Sequence, residues 1–348
     1  MLHATGHINY SRISIGIQVY FHTFAHGIWQ QANAPLCRPT RDNNNVRQAT
    51  PMKKLRFAIF GNTYQANKSA CVQQLFSILE EHKAHMLIDR AFHDYLAGQL
   101  GIAVHHEELI EGQGFDADFA ISLGGDGTFL ETVRRVGDRN IPVLGINMGR
   151  LGFLSDYQSG DIESAIEQIY DDRYRVEERS VLHVEDDNGS IHGFPYALNE
   201  VAVLKHDISS MISIDAEVNG EFLTTYQADG LIINTSAGST GYALSVGGPI
   251  IWPGTNIMGL VPVAPHSLTV RPIVISSDAV VRMRVKSRSH NFLLSIDGRS
   301  ESLSECTSIT VRKALYTIKV LKRSEGSFCH TLRDKLMWGA DTRDRGER

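Results

Sequence analysis

The feature that most restricts the fold is a change of hydrophobic period partway along the chain. From Lys53 to about Tyr157, short apolar runs alternate with stretches whose apolar residues recur every three to four positions. "LRFAIF" reads as a strand, "NKSACVQQLFSILEEHK" sets Val72, Leu75, Phe76 and Leu79 on one helical face, "HMLID" is extended and "RAFHDYLAGQLG" helical. "DFAISL", "TFLETVRRVGD" and "IPVLGIN" then repeat strand, helix, strand. Such alternation predicts a parallel sheet with helical crossovers, and ligands on these sheets sit beyond the carboxyl ends of the strands. After about Tyr174 polar and apolar residues alternate in β-branched stretches, punctuated by Asn188-Gly189, Asn219-Gly220 and Asp297-Gly298, which are hairpin signals. The expected fold is therefore an α/β N-terminal domain with a parallel sheet over residues 52–157, then a C-terminal all-β, sandwich-like domain over 158–327. A last helix within 328–339 places Phe328, Leu332, Leu336 and Met337 on one face and is expected to return to the first domain, leaving 340–348 as a tail.

Composition narrows the function. With 348 residues, 42% of them hydrophobic, the chain can bury cores for two domains. A formal net charge of −5, without a Lys/Arg block, removes the electrostatic basis for sequence-independent binding to nucleic acid or a membrane surface. Cys37, Cys71, Cys306 and Cys329 are widely spaced and form no C-x-x-C pair, which argues against a disulfide framework or a zinc site and suits a reducing cytoplasm. No uninterrupted apolar run reaches the ~18 residues of a membrane span. Residues 1–51 carry no acidic residue before Asp42 and end in "RDNNNVRQATP"; they are expected to form a disordered extension ahead of Met52, and they lack the basic lead-in and small-residue cleavage site of a signal peptide. His3, His7, His22 and His26 lie there without a nearby carboxylate or cysteine, so no metal site is read from them.

The chemistry concentrates in two stretches. In "SLGGDGTFLETV", Gly124, Gly125, Asp126, Gly127 and Thr128 fall where a strand turns into a helix. Unpaired N–H groups and the positive end of the helix dipole make such a turn an anion site, and glycines let a phosphate approach the backbone. Asp126 among them would repel phosphate unless it holds a bridging divalent cation or accepts the proton of an attacking hydroxyl, and both roles suit phosphoryl transfer. The plainer alternative is an aspartate that caps a helix beginning near Thr128. In "DGLIINTSAGSTGYALSVGGPI", Asp229 to Ile250, an apolar strand ends in a run of Gly, Ser and Thr with Tyr242 as its one aromatic, offering donors for phosphate and ribose beside one stacking surface. Other motifs fail. There is no G-x-x-x-x-G-K-[ST], "GQGFDA" precedes a strand instead of following one, and "HHEEL" lacks a second downstream histidine.

Together "GGDGTFL", "LNEVAV", "DGLIINTSAGSTGYALSVGGPI", "APHSLTVRPIVI", "SIDGR" and "TLRDKLMWG" resemble, in this order, the NAD kinases, which phosphorylate NAD to NADP. The resemblance covers about Met52 to Gly339, and the long glycine-rich run carries it, since "GGDGT" also marks diacylglycerol-type lipid kinases, the rival reading. It implies a two-domain fold that agrees with the periodicity, and ATP and NAD as substrates with a divalent ion, magnesium by expectation. It also implies a homodimer or homotetramer in which a neighbouring subunit completes the NAD pocket. It places Asp126 beside the adenosine ribose 2′-hydroxyl as the activating group, with Gly127, Asn199, Glu200, Asp229, Thr240, Tyr242 and Ser245 as NAD contacts and Gly124, Gly125 and Thr128 as the phosphate loop. Asp297 lies near the nucleotides or serves a hairpin turn; His266 and Arg271 make a phosphate or structural contact. The commoner "TPTGSTAY" reads here "TSAGSTGY", so Ser236, Ala237 and Gly241 replace Pro, Thr and Ala, and a hydroxyl is lost at Ala237.

Overall fold

A computed structural model describes residues 53–63, 69–149, 152–207, 210–324 and 326–340. The expected extension 1–51 with its four histidines, and the tail beyond Ala340, lie outside the described residues. In the first half, β1 (Arg56–Gly61), β2 (His85–Asp89), β3 (Glu108–Ile110), β4 (Phe119–Gly124) and β5 (Val143–Asn147) pair in parallel in the order β5-β4-β1-β2-β3. The short β6 (Tyr157–Gln158) pairs in parallel beside the last residues of β5. The crossovers α1 (Ser69–Glu81), α2 (Arg90–Gln99) and α3 (Asp126–Val136) follow β1, β2 and β4. Because β1, β2 and β3 progress one way and β4, β5 the other, the order reverses between β1 and β4, which opens a crevice at their carboxyl ends.

Both faces of this sheet are covered, as its strands' uninterrupted burial requires. Phe57 and Ile59 of β1 point to one side with Leu75 of α1 and Leu96 of α2; Ala58 and Phe60 point to the other with Phe129 and Val133 of α3. A further helix, α4 (Ile162–Tyr170), was not apparent from the period-two reading of residues beyond 158, yet Ile162, Ala165, Ile166 and Ile169 recur at helical spacing and pack into the first of these cores.

The second half is antiparallel. Its strands are β7 (Arg175–Asp186), β8 (Tyr196–Ala197), β9 (Glu200–Lys205), β10 (Ile212–Val218), β11 (Glu221–Ala228), β12 (Gly230–Thr235), β13 (Ile257–Val263), β14 (Ile273–Ser276), β15 (Val281–Lys286), β16 (Asn291–Ile296), β17 (Arg299–Ser304) and β18 (Ser308–Lys322). One sheet of six strands runs β14-β13-β12-β9-β16-β17. It packs against β10, β11, β15 and the first part of β18 through alternating residues such as Val201, Ile214, Ile233, Met283, Leu294 and Ile309. At Asn219-Gly220 and Asp297-Gly298 both residues take positive φ (53 and 83°, 48 and 78°), the tight hairpin turns that the dipeptides signal. Asn188-Gly189 differs. It lies in the longer connection between β7 and β8, where Asp187 Oδ1 accepts the Ser308 N–H at 2.9 Å and ties the loop to β18 instead of closing a two-residue turn.

The two halves share a sheet. One edge of β18 pairs antiparallel with β15 at Ser308–Val311 and parallel with β5 at Val320, while its other edge follows β7 from Ile309 to Lys322. Where β18 reaches β5, Lys322 and Arg179 are both buried, Lys322 Nζ donates to Asp156 Oδ1 at 2.8 Å, and Arg179 pairs with Glu177. Burial lowers the pKa of both cations while the carboxylates oppose it. The last helix, α6 (Phe328–Leu336), touches both halves: Phe328 meets Trp252 of the second edge-on, and Lys335 lies over the Phe153 ring of the first. Of its expected apolar face, Phe328, Leu332 and Leu336 are half-buried and Met337 is exposed. No helix among the described residues is long and apolar enough to cross a membrane. Replacing Lys322 by Met strands the Asp156 carboxylate at the seam, and urea denaturation is expected to show a loss of about 3 kcal/mol.

Candidate functional site

The glycine turn lies at the carboxyl end of β4, beside the crevice. α3 starts at Asp126 with Gly125 as its N-cap, and no side chain caps it. The capping alternative for Asp126 is therefore not what this chain uses. Its carboxylate turns to the loop after β5, where Oδ2 accepts the Phe153 N–H at 2.9 Å and Oδ1 the Leu154 N–H at 3.3 Å. Gly152 is what permits this, because a Cβ there would overlap Asp126 Oδ1. Of the loop glycines, Gly124 makes room for the Thr128 side chain, whereas Gly125 and Gly127 face open space. The latter two are the positions at which a phosphate can reach backbone N–H groups.

Across from this turn, Asp297 organises the "NE" segment. From its hairpin, the carboxylate accepts three backbone N–H groups: Leu198 at 2.7 Å to Oδ2, and Asn199 at 2.9 Å and Glu200 at 3.0 Å to Oδ1. It positions Asn199 and Glu200 from a hairpin turn, as the hairpin reading of Asp297 expects. The glycine-rich loop then folds onto the same segment. Thr235 Oγ1 donates to Leu198 O at 2.6 Å, and a Cβ at Gly238 would overlap Asn199 O. The Glu200 carboxylate occupies the space that a Cβ at Gly241 would contest. Asn199 Oδ1 and Glu200 Oε2 are buried and have no hydrogen-bond partner among the described residues, a cost that a bound ligand's donors would relieve. Tyr242 and Ser245 stand exposed on the short helix α5 (Tyr242–Ser245), and Thr240 lies just before it, its hydroxyl bonded to Ala237 O at 3.2 Å.

Beneath these parts runs one apolar cluster that includes Phe129 of α3, Leu154 beside Asp126, Leu198 beside Asp297 and Ala237 of the glycine-rich loop. It brings Gly124 to Thr128, Asn199, Glu200, Thr240 and Tyr242 onto one framework. Between Gly127 on one side and Asp297 with Arg299 on the other lies a cavity of about 210 Å³. Ala237 is buried in the cluster, so the hydroxyl absent there removes no exposed donor.

Other sequence-nominated residues stand apart. Asp229 precedes β12 and the glycine-rich loop follows it, so about 20 Å of strand separates them. Asp229 pairs with Lys205 Nζ at 2.8 Å and, with His266, lines a separate cavity of about 520 Å³. Arg271 gives Nη1 to the carbonyls of Leu268 and Val270, which is a loop-bracing role. Conversely, Gly152, Phe153 and Leu154 carry only a slight signal in the sequence: a glycine before two apolar residues past the strand that follows the "GGDGT" helix. Among the described residues no cluster of three or more His, Cys, Asp or Glu side chains is arranged to hold a metal ion.

Burial, aided by the Asp297 charge, pushes the Glu200 carboxyl up from 4.5 to about 7. Since the folded pKa exceeds the unfolded one, this group's contribution to stability is full below about 4.5 and is lost as pH rises through about 7. The difference in unfolding free energy between Glu200→Gln and the parent chain should therefore grow in the variant's favour across that window and level off above it, as urea titrations between pH 5 and 8.5 would show.

Comparison with known proteins agrees with this geometry. The chain matches the ATP-NAD kinase N-terminal domain over residues 57–174 and the ATP-NAD kinase C-terminal domain over 198–323. It is 55% identical over 289 residues to an NAD kinase of Bacteroides fragilis, covering 83% of this chain and all of that protein, and 43% identical over 292 residues to one of Porphyromonas gingivalis, covering 84% and 100%. Its fold is similar to yeast NADH kinase complexed with NADH (TM-score 0.74, 21% identity, 83% of this chain and 89% of that one). It is also similar to an NAD kinase from Archaeoglobus fulgidus in complex with ATP (0.64, 24%, 81% and 99%). A parallel sheet carrying the GGDG turn, joined through one strand to a β-sandwich that carries the glycine-rich loop, thus has its counterpart in both sequence and fold: the chain belongs to the NAD kinase family.

Proposed function

We propose that the chain transfers the terminal phosphate of ATP to the 2′-hydroxyl of the adenosine ribose of NAD, giving NADP and ADP. The observation that carries this reading is the convergence, over one apolar cluster, of the Asp126 turn with the unpartnered Asn199 Oδ1 and Glu200 Oε2. The buried acceptors suit ribose and amide donors, Tyr242 offers a ring for the base, and Gly125 and Gly127 leave room for phosphates. The rival lipid-kinase reading gains nothing from the family match.

In the reaction the 2′-oxygen attacks the terminal phosphorus of ATP, the bond to the bridging oxygen breaks, and ADP departs with that electron pair. Asp126 orients the hydroxyl and receives its proton late in the step. A carboxylate has about four lone-pair sites, so its two N–H bonds to the 153–154 loop leave room for the hydroxyl. The residues fit a divalent ion, magnesium by expectation, only as a companion of ATP: Asp126 is the carboxylate of the turn that could meet it, and phosphate oxygens and water would supply its other ligands. When bound, such an ion neutralises charge on the donor phosphates.

We further infer a homo-oligomer, dimer or tetramer, in the cytoplasm. Asp229 and His266 lie at the far end of β12 from Thr240 and Tyr242, so they reach a nucleotide in that loop only from a neighbouring copy. Light scattering with and without NAD should give a mass at least twice that of the chain; a monomer under both conditions contradicts the assembly. Incubation with NAD, ATP and magnesium, read by an NADP-specific dehydrogenase, tests the activity. Asp126→Asn is expected to lower turnover by roughly a thousandfold or more with NAD binding nearly intact; near-normal turnover would remove Asp126 from the chemistry.

A further inference from the structure

Helix α6 lies over the loop that holds Asp126. Phe328, Leu332, Lys335 and Leu336 recur along it at helical spacing, so Lys335 falls on the stripe that faces the protein. Its Nζ is buried, stands 5.0 Å from the centroid of the Phe153 ring, and has no hydrogen-bond partner among the described residues. Phe153 is the residue whose N–H bonds the Asp126 carboxylate. Asp126 and Asp156 attract the ammonium, and Lys322 on β18 and Arg179 on β7 repel it. Burial, the larger influence, pushes its pKa down from 10.5 to about 8. An ammonium held out of water without a partner is costly, and the ring beneath it offsets only part of that cost.

Beside Lys335 opens a cavity of about 1090 Å³ at the carboxyl ends of β6 and β18. This is the end of a parallel sheet at which ligands bind. Arg173, Arg175, Arg323, Arg333 and His330 contribute to its wall, together with the carboxylates of Asp156 and Asp334. Arg173, Arg323 and His330 pair with Asp171, Asp161 and Asp334, and Asp156 with Lys322, whereas no ion pair among the described residues engages Arg175 or Arg333. A wall in which cations outnumber carboxylates, beside an unpartnered ammonium that Asp126 attracts, matches the charge of a polyphosphate chain whose last phosphate reaches Asp126.

We propose that Lys335 is a donor-binding residue: the polyphosphate chain of ATP lies along the arginine-walled cavity, and the Lys335 ammonium hydrogen-bonds the phosphoryl group being transferred. This rests on the reading of the chain as an NAD kinase. Charge that accumulates on the phosphoryl oxygens as the bridging bond breaks then meets a cation already in place. The alternative is that Lys335 only anchors α6 on the fold.

Steady-state NADP formation by the full chain, K335M and K335R, each with magnesium and with ATP and NAD varied separately, tells them apart. For K335M, kcat/KM for ATP should fall roughly tenfold to a hundredfold while KM for NAD stays within about twofold, and K335R should recover most of the loss. In calorimetry, inorganic tripolyphosphate should bind the parent chain and K335R, and bind K335M at least about tenfold more weakly. Unchanged ATP kinetics in K335M would overturn the proposal. So would an equal loss toward both substrates accompanied by a lowered melting temperature and no recovery in K335R. A parent chain that makes no NADP would sink the kinase reading itself, and the tripolyphosphate titration would still decide whether Lys335 binds phosphate.

Discussion

Backbone pairing along β18 is the interaction on which the rest depends. Its first residues close the sandwich against β15, its last lie beside β5 of the parallel sheet, and β7 follows it throughout, so one hydrogen-bonded ladder crosses from one half of the molecule to the other. The site needs that continuity because its two sides come from different halves: Asp126 from the turn after β4, Glu200 from the start of β9 and Asn199 from just before it. Two independently tumbling domains would hold these groups only as well as their linker allowed. A shared sheet holds them to the tolerance of a ladder, which is what an in-line transfer between two bound substrates demands. Charge is concentrated at this seam, where the buried cations Lys322 and Arg179 meet the partly exposed carboxylates of Asp156 and Glu177. Buried ion clusters add little net stability but penalise any packing in which their members separate.

Two aspartates do related work on the two sides. Asp297 accepts the N–H groups of residues 198–200 and shapes the segment that offers Asn199 and Glu200. Asp126 accepts the N–H groups of residues 153 and 154 and so attaches the glycine turn to the loop under α6. The difference lies in what remains: both are half-buried, but Asp297 accepts three backbone N–H groups and Asp126 two, which leaves Asp126 more of its acceptor capacity. The same functional group thus braces a different segment in each place, and its surroundings decide how much acceptor capacity is left over.

Departures from the commoner glycine-loop pattern are also explained by packing. Ala237 replaces a hydroxyl-bearing residue at a position enclosed by Phe129, Leu198 and other apolar side chains, where a hydroxyl would need a partner of its own. Gly241 replaces alanine where the Glu200 carboxylate comes close to the loop backbone, so the missing Cβ and the position of the carboxylate belong together. Burial of that carboxylate without a full set of donors is a stability cost kept at the place where a ligand's donors would arrive.

Much of this was legible in the order of residues alone. The helical spacing of Val72, Leu75, Phe76 and Leu79, the alternating apolar positions of the later strands, and the turn chemistry of Asn219-Gly220 and Asp297-Gly298 are local signals, and local signals fix periodicity, turns and the type of each element. The glycines around Asp126 and the long glycine-rich run likewise announced a phosphate-handling nucleotide site, since close backbone approach demands glycine wherever it occurs. What the order of residues did not contain was distance. That Asp126 turns from its own helix to the 153–154 loop, that Asp297 braces residues almost a hundred positions earlier, that Asp229 and His266 fall at the opposite end of β12, and that Lys335 comes to rest above Phe153 all depend on which strands lie side by side. Strand order is settled only when every buried face is satisfied at once, a property of the whole packed chain that no single stretch of it encodes.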